Sequence, residues 1–169
     1  MEAVIHRQYR AIRLGLPLGM PITVLRIGAQ ETAVAVGAGV EPEQVFVLAI
    51  GSQKTAAEYF FHAPPTPGEI ENAIMPVEDE ITRLRETIAS YATLFSADES
   101  IREIALIAGV TSQLSLDRVE QIFSLLVSLS LGRPASIAGV PGSPAFAATL
   151  LILREFMHHL KFASINITD

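Results

Sequence analysis

The strongest constraint on the fold is a pair of short apolar strands that meet at a tight turn near the N-terminus. Residues 22–27 and 32–38 are rich in β-branched side chains, and Gly28 begins the turn between them. A third segment of the same kind, residues 44–50, follows a Pro-Glu turn. Short β-branched runs separated by turn residues are typical of antiparallel strands. The sequence therefore predicts a three-stranded antiparallel meander.

A long helix is predicted to follow the meander. Thr66 has the character of an N-cap, and Glu69 completes a capping box three residues later. Apolar residues then recur every three or four positions over residues 70–91, which gives the helix one buried face. Pro76 removes a backbone donor inside this run, so we expect a kink or break near Asn72.

The remaining segments complete an alternation of helices and strands. The further predicted elements are helices over 2–14 and 52–61, a strand over 103–108, a helix opened by Ser115, a helix opened by Ser143-Pro144 and ending near Leu160, and a final strand over 163–167. Strands alternating with helices after a leading hairpin predict a layered α/β domain. With no linker or repeat in the sequence, residues 1–169 are expected to form a single domain.

Composition narrows the range of partners. Half of the residues are apolar and only 18% are charged, an apolar surplus that indicates an interface with a second copy or with a partner protein. The net charge of −6 argues against nucleic-acid binding and opposes the approach of a polyanionic substrate. Apolar stretches such as residues 146–153 are far shorter than the ~20 residues of a membrane span. No signal peptide is recognisable, and the absence of cysteine fits a cytoplasmic location.

Four segments, in order, match the pattern of one enzyme family. They are a helix reading Glu-Ala-Val-Ile-His-Arg from Glu2, the Gly28 hairpin, a strand ending Leu-Ala-Ile-Gly at Gly51 with the helix after it, and residues 116–169, which end in Thr-Asp. Together they resemble the exopolyphosphatase and guanosine-pentaphosphate phosphatase family (Ppx/GppA). The first segment is similar to that family's Glu-Glu-Ala-Arg-Leu helix, which carries its catalytic carboxylate. The hairpin is similar to its Asp-Ile-Gly-Gly-Gly-Ser-Thr-Glu motif.

The resemblance implies an actin-like, ribonuclease-H-like half-domain with a mixed sheet and helices packed on it. It corresponds to the C-terminal half of the Ppx/GppA core. The family's first half, with its Asp-Ile-Gly-Thr-Asn-Ser phosphate loop, has no counterpart in the sequence. Because an actin-like active site lies in the cleft between two halves, this chain is expected to supply one side of such a cleft.

The chain departs from the family at the polar positions of the hairpin. Arg26 replaces the Asp, Gln30 replaces a Gly, Glu31 replaces the Ser and Ala33 replaces the Glu. A phosphate ~4 Å from Glu31 would be repelled by on the order of 4 kcal/mol at an effective dielectric constant near 20. Phosphoryl transfer also needs donors and a metal to neutralise the phosphate oxygens. We therefore expect no hydrolysis.

A surviving anion site would use a small set of residues. The expected ligand-binding residues are Arg26, Gly28, Gln30, Thr32, Gly109 and Thr111. Gly109 enters this set because residues 108–110 are aligned with a Gly-Gly-Thr turn that approaches phosphate in the family. Without a ligand, Arg26 is expected to form a salt bridge with Glu31. No catalytic residue is assigned, although Glu2 would serve as the catalytic carboxylate if the chain were active.

Three functions stay open at this point. The first is a non-catalytic Ppx/GppA-like domain that acts through self-association or partner binding and needs no cofactor. The second is a phosphatase subunit, a phosphoric anhydride hydrolase completed by a missing first half and requiring Mg²⁺. The third is a sensor in which Arg26 and the Gly28 turn bind a small anion without turnover. No metal site is expected, because the four histidines, at positions 6, 62, 158 and 159, lie outside chelating motifs.

Overall fold

The computed structural model describes residues 1–89 and 91–169. The helices of this part of the chain are α1 (Glu2–Leu14), α2 (Ser52–Tyr59), α3 (Pro67–Thr82), α4 (Glu99–Ile107), α5 (Leu116–Ser130), α6 (Ala135–Ala138) and α7 (Pro144–His159). The strands are β1 (Ile22–Ile27), β2 (Thr32–Gly37), β3 (Gln44–Leu48), β4 (Thr93–Ser96), β5 (Gln113–Ser115) and β6 (Ser164–Ile167).

The six strands form one mixed sheet in the order β3-β2-β1-β4-β6-β5. Strands β1, β2 and β3 pair antiparallel, with Ile27 opposite Thr32 at the hairpin, which confirms the predicted meander. Strand β4 then lies parallel to β1, and β6 lies parallel to β4. The short β5 pairs antiparallel with β6 at the far edge. The expected mixed α/β architecture is therefore confirmed.

The two faces of the sheet are covered unequally, as the alternation along β1 shows. Leu25 and Ile27 point into the larger core, where helices α2 to α7 all contribute. Ile22 and Val24 point to the other face, where a smaller cluster is completed by α1. Side chains alternate between the faces of a strand, so one apolar strand serves both cores.

Helix α7 is the centre of the larger core. Eleven of its residues are buried, and it packs against α2, α3, α4 and α5. It is nonetheless too short to cross a bilayer, and no other helix among the described residues is long and apolar enough to do so. The apolar surplus of the sequence is therefore partly accounted for by one helix that is surrounded on nearly all sides.

The predicted helix starts are confirmed. Thr66 Oγ1 accepts a hydrogen bond from Glu69 N, and the Glu69 side chain accepts one from Thr66 N, so the capping box is complete. Ser115 and Ser143 cap α5 and α7 in the same way through their hydroxyl oxygens. These caps satisfy donors that an isolated helix end leaves without a partner.

Two predictions about elements were wrong. The segment 103–108, predicted as a strand, lies in helix α4 and its end, because Ile101, Ile104 and Ala105 share one buried helical face. The long helix ends at Thr82 rather than near residue 91. It continues through Pro76, so of the two expected effects of this proline, a kink or a break, the break does not occur. Strands β4 and β5 were not predicted at all.

Candidate functional site

The carboxyl ends of the parallel strands β1, β4 and β6 share one edge of the sheet, and the hairpin turn lies at this edge. Gly28 is buried there against the start of α1: a Cβ at this position would lie 2.5 Å from Met1 Cε and 2.8 Å from Glu31 O. Glycine is thus required by close packing. The same contact brings the exposed Glu2, in the first turn of α1, to the hairpin edge.

Backbone groups of the hairpin turn are already hydrogen-bonded within the chain. Gly28 N donates to Glu31 O at 2.9 Å. The N–H groups of residues 52–54, the first three of α2, donate to the carbonyl oxygens of Gly28 and Ala29 at 2.9–3.0 Å. A helix N-terminus binds an anion through such N–H groups. Here the carbonyl oxygens of the hairpin turn already accept hydrogen bonds from these N–H groups of α2.

Arg26 pairs with a residue that the sequence did not single out. Its Nη1 lies 3.2 Å from Asp98 Oδ1, and Asp98 Oδ2 accepts a hydrogen bond from Ile27 N at 2.6 Å. The predicted salt bridge between Arg26 and Glu31 was wrong, because Glu31 is exposed at the turn and makes no ion pair among the described residues. Arg26 Nε is buried and has no hydrogen-bond partner in the described chain.

Asp98 is a buried carboxyl group, only 5% exposed, at the start of α4. Burial raises the pKa of the Asp98 carboxyl above its ordinary value, while the hydrogen bond from Ile27 and the charge of Arg26 oppose that rise. Arg26 Nη1 is thus engaged by this carboxylate, while 31% of the Arg26 side chain stays exposed. The sequence signal for Asp98 is weak, because this residue is recognisable only as an acidic residue just after β4, a strand that was not predicted.

The other hairpin residues divide between surface and core. Gln30 is exposed at the turn and accessible to a ligand. Thr32 is fully buried, and its hydroxyl donates to Ile50 O at 2.8 Å. The expected role of Thr32 in direct ligand contact does not fit this position, because its donor is used to tie β2 to the end of β3.

Gly109 and Thr111 lie elsewhere along the edge. They follow helix α4, not a strand, and the turn that follows β4 is formed instead by Ala97 and Asp98. The neighbouring Ser112 O accepts from Ile167 N at 2.8 Å, which places this loop beside the end of β6. Strand β5 is three positions from β1 in the sheet, or about 14 Å at the usual strand spacing. The structure therefore separates these two residues from Arg26 and Gly28.

The hairpin edge is acidic overall. Exposed Glu2, Glu31 and Glu99 lie on its elements, in addition to buried Asp98. The nearby Arg102 already binds Glu99 and the carbonyl oxygen of Thr168. A groove of about 520 Å³ between α1 and the ends of β4 and β6 opens beside this edge, lined by Arg7, Gln8, Ala11, Ile12, Gly15, Ala97, Thr168 and Asp169. Its lining offers no ring of donors for a phosphate chain.

Comparison with solved structures identifies the architecture. A Ppx/GppA phosphatase from Aquifex aeolicus superposes with a TM-score of 0.79 at 18% identity, over 95% of this chain. The chain has the fold of one part of a Ppx/GppA phosphatase. An exopolyphosphatase from Cytophaga hutchinsonii matches with a TM-score of 0.63 at 14% identity, also over 95% of this chain, and an exopolyphosphatase-like protein matches with a TM-score of 0.62 at 17% identity, over 90%.

These similarities concern a part of the larger proteins. The chain spans only 57% of the Aquifex phosphatase, 57% of the Cytophaga exopolyphosphatase and 55% of the exopolyphosphatase-like protein. No protein-family model matches the sequence, and no curated protein is significantly similar to it. At identities of 14–18% the resemblance establishes the fold and carries no assignment of activity.

Proposed function

We propose that this chain is a non-catalytic relative of the second half of the Ppx/GppA phosphatases and acts through association. The observation that supports this proposal is the internal use of the hairpin's polar groups. The N–H groups of α2 bind the turn, Thr32 binds Ile50 O, and Arg26 binds Asp98. A phosphoryl-transfer site needs such groups directed at the phosphate.

An apolar groove at the end of α1 supports the associative part of the proposal. This surface, the α1-end groove, has a volume of about 470 Å³ and is lined by Arg10, Arg13, Leu14, Leu16, Leu18 and Val40. Leu14 is 88% exposed and Leu18 is 69% exposed. Neighbouring exposed leucines are costly in a monomer and are typical of a surface that another chain covers. A second copy of this chain is the proposed occupant.

The proposal is tested by measuring molar mass with light scattering during gel filtration over a concentration series. We expect about twice the mass of one chain for the native protein, and the mass of one chain for the double variant Leu14→Glu/Leu18→Glu. The matched control is Leu131→Glu, which places the same charge on an exposed leucine of another region. A native protein that stays monomeric at the highest concentration refutes self-association, and a control that also dissociates refutes the assignment to this groove.

The phosphatase alternative has one observation in its favour, the position of Glu2 beside the hairpin edge. In that case Glu2 would act as the catalytic carboxylate with Mg²⁺, and another polypeptide or segment would complete the cleft. Phosphate release from polyphosphate or guanosine pentaphosphate in the presence of Mg²⁺ tests it. Release that is abolished by Glu2→Gln would establish this alternative and overturn the non-catalytic proposal.

The anion-sensor alternative rests on the exposed Gln30 and on the part of Arg26 that solvent reaches. The Arg26 side chain is 31% exposed, although it is paired with Asp98. A ligand at ~100 times its dissociation constant adds ~2.7 kcal/mol to stability. Thermal melts with phosphate, polyphosphate and guanosine pentaphosphate therefore test it. A melting shift of several degrees that Gln30→Ala removes would favour the sensor.

A further inference from the structure

A second cluster of ionisable side chains lies where α3 packs against α7. Glu78 comes from α3, and Glu155 and His159 are four residues apart on α7. Helix α3 leads towards the start of β4 and α7 leads into β6, so the cluster lies towards the sheet edge opposite the hairpin. It is therefore separate from the site described above.

The distances within this cluster are those of a ligand set. His159 Nε2 lies 2.9 Å from Glu155 Oε2 and 3.7 Å from Glu78 Oε1, and all three atoms lie within 4.8 Å of one another. Zinc binds nitrogen and carboxylate oxygen at about 2.0–2.2 Å, so neighbouring atoms of a tetrahedral site are about 3.4 Å apart. Small side-chain rotations would bring the three atoms to that spacing.

We propose that Glu78, Glu155 and His159 bind a divalent transition-metal ion, with Zn²⁺ as the fitting example. One imidazole nitrogen and two carboxylate oxygens form a donor set that suits zinc, with a fourth position left for water. A histidine and a glutamate four residues apart lie on one face of a helix, and the third ligand comes from a neighbouring helix. The ion would link α3 to α7.

The surroundings of Glu155 support this assignment independently. The side chain is 4% exposed, and its Oε1 accepts from Arg154 Nη1 at 2.8 Å, so Oε2 is directed to His159. Arg154 is itself fixed by Glu120 at 2.8 Å and lies 4.3 Å above the Phe123 ring. Carboxylate ligands of metals are characteristically held by such outer hydrogen bonds.

The local charge leaves room for a cation. Three carboxylates, those of Glu78, Glu120 and Glu155, lie near two guanidinium groups, those of Arg154 and Arg85, which leaves one net negative charge before His159 is counted. Arg85 Nη2 lies 3.4 Å from His159 Nδ1. A metal on Nε2 leaves the proton on Nδ1, so Arg85, which is exposed, would turn into solvent. A proton on His159 is the competing occupant, and the experiment separates the two.

The test uses full-length protein without a histidine tag, titrated with Zn²⁺ by calorimetry and with Co²⁺ by visible absorption. We expect one ion per chain and the absorption of tetrahedral Co²⁺. Loss of an outer hydrogen-bond partner weakens metal affinity by ~10-fold to 100-fold. The variants His159→Ala and Glu78→Gln each remove a direct ligand, so each should weaken Zn²⁺ binding by at least that factor. The matched control is His62→Ala, because His62 also pairs with a glutamate, Glu69, at 3.1 Å but belongs to no three-ligand cluster among the described residues.

Each outcome decides the proposal. Binding that is lost in His159→Ala and in Glu78→Gln but retained in His62→Ala supports it. A melting temperature that Zn²⁺ raises in the native protein but not in Glu78→Gln supports it as well, and this readout remains if His159→Ala fails to fold. Absence of saturable binding by the native protein would overturn the proposal and leave the cluster as a network of polar contacts within the fold. Unchanged affinity in both cluster variants would also overturn the proposal.

Discussion

Replacing Arg26 by methionine tests whether this residue stabilises the fold or is reserved for a ligand. At an N–O distance of 3.2 Å and an effective dielectric constant near 20, its attraction to Asp98 is ~5 kcal/mol before the cost of removing both charges from water. Losing one partner costs ~3–5 kcal/mol for a buried pair, whereas an exposed pair contributes ~0–1 kcal/mol. With Asp98 4% and Arg26 31% exposed, we expect a loss of about 2 kcal/mol.

The assay is urea denaturation at neutral pH, with Arg10→Met as the matched control. Arg10 forms an even shorter pair with Glu41, at 2.7 Å, but both side chains are 54% exposed. Its replacement should therefore cost less than about 1 kcal/mol. If Arg26→Met costs no more than Arg10→Met, the assignment of Arg26 to the fold is refuted.

The same comparison has a pH signature with a definite sign. Because burial holds the pKa of Asp98 above its ordinary value in the folded state, protonation of this carboxyl favours the folded protein. Removal of Arg26 raises this pKa further. The stability difference between Arg26→Met and the native protein should therefore shrink as the pH falls through the folded pKa of Asp98. A difference that stays constant with pH would contradict an ion pair as its source.

Four further predictions concern other positions. Thr32→Val should cost about 1–2 kcal/mol in urea denaturation because Ile50 O loses its donor, and an accompanying loss of anion binding would refute its purely structural role. Thr66→Ala should cost about 1 kcal/mol through loss of the N-cap. The hydrogen bond from the Thr66 N–H is the main reason that the pKa of its partner Glu69 is lowered from 4.5 to about 2. The stability of the native protein should therefore decline as the pH falls below about 4.5, and this part of the decline should be absent in Glu69→Gln. Gly109→Ala should cost about 1 kcal/mol because φ is +78° there, with no change in any anion response.

Local signals were sufficient to predict the hairpin and the helix starts. Thr66 and Ser143 have neighbours in sequence that complete their caps, so the information lies within a few residues. The strand over 22–27 is likewise bounded by its own turn at Gly28. Four segments resemble the Ppx/GppA family in the same order along the chain, and this resemblance predicted the fold. The superposition confirms that prediction.

Local signals misplaced the middle of the chain. Residues 103–108 form an apolar run of a length that suits either a strand or a helix. What decides for the helix is packing, since Ile101 and Ile104 are both fully buried on the face that α4 turns to the core. The strand that lies parallel beside β1, Thr93–Ser96, is only four residues long and carries no turn signal strong enough to separate it from the predicted helix before it.

The sequence by itself determined the apolar pattern, the caps, the hairpin and its departure from the Ppx/GppA hairpin motif, because each depends on residues close together in the chain. Only the tertiary structure decided which side chains meet. Asp98 reaches Arg26 across 72 positions because β4 lies beside β1, and Glu78 reaches His159 because α3 packs on α7. Charges act through space over a few ångströms, so their partners are set by strand order and helix packing, which no local pattern specifies.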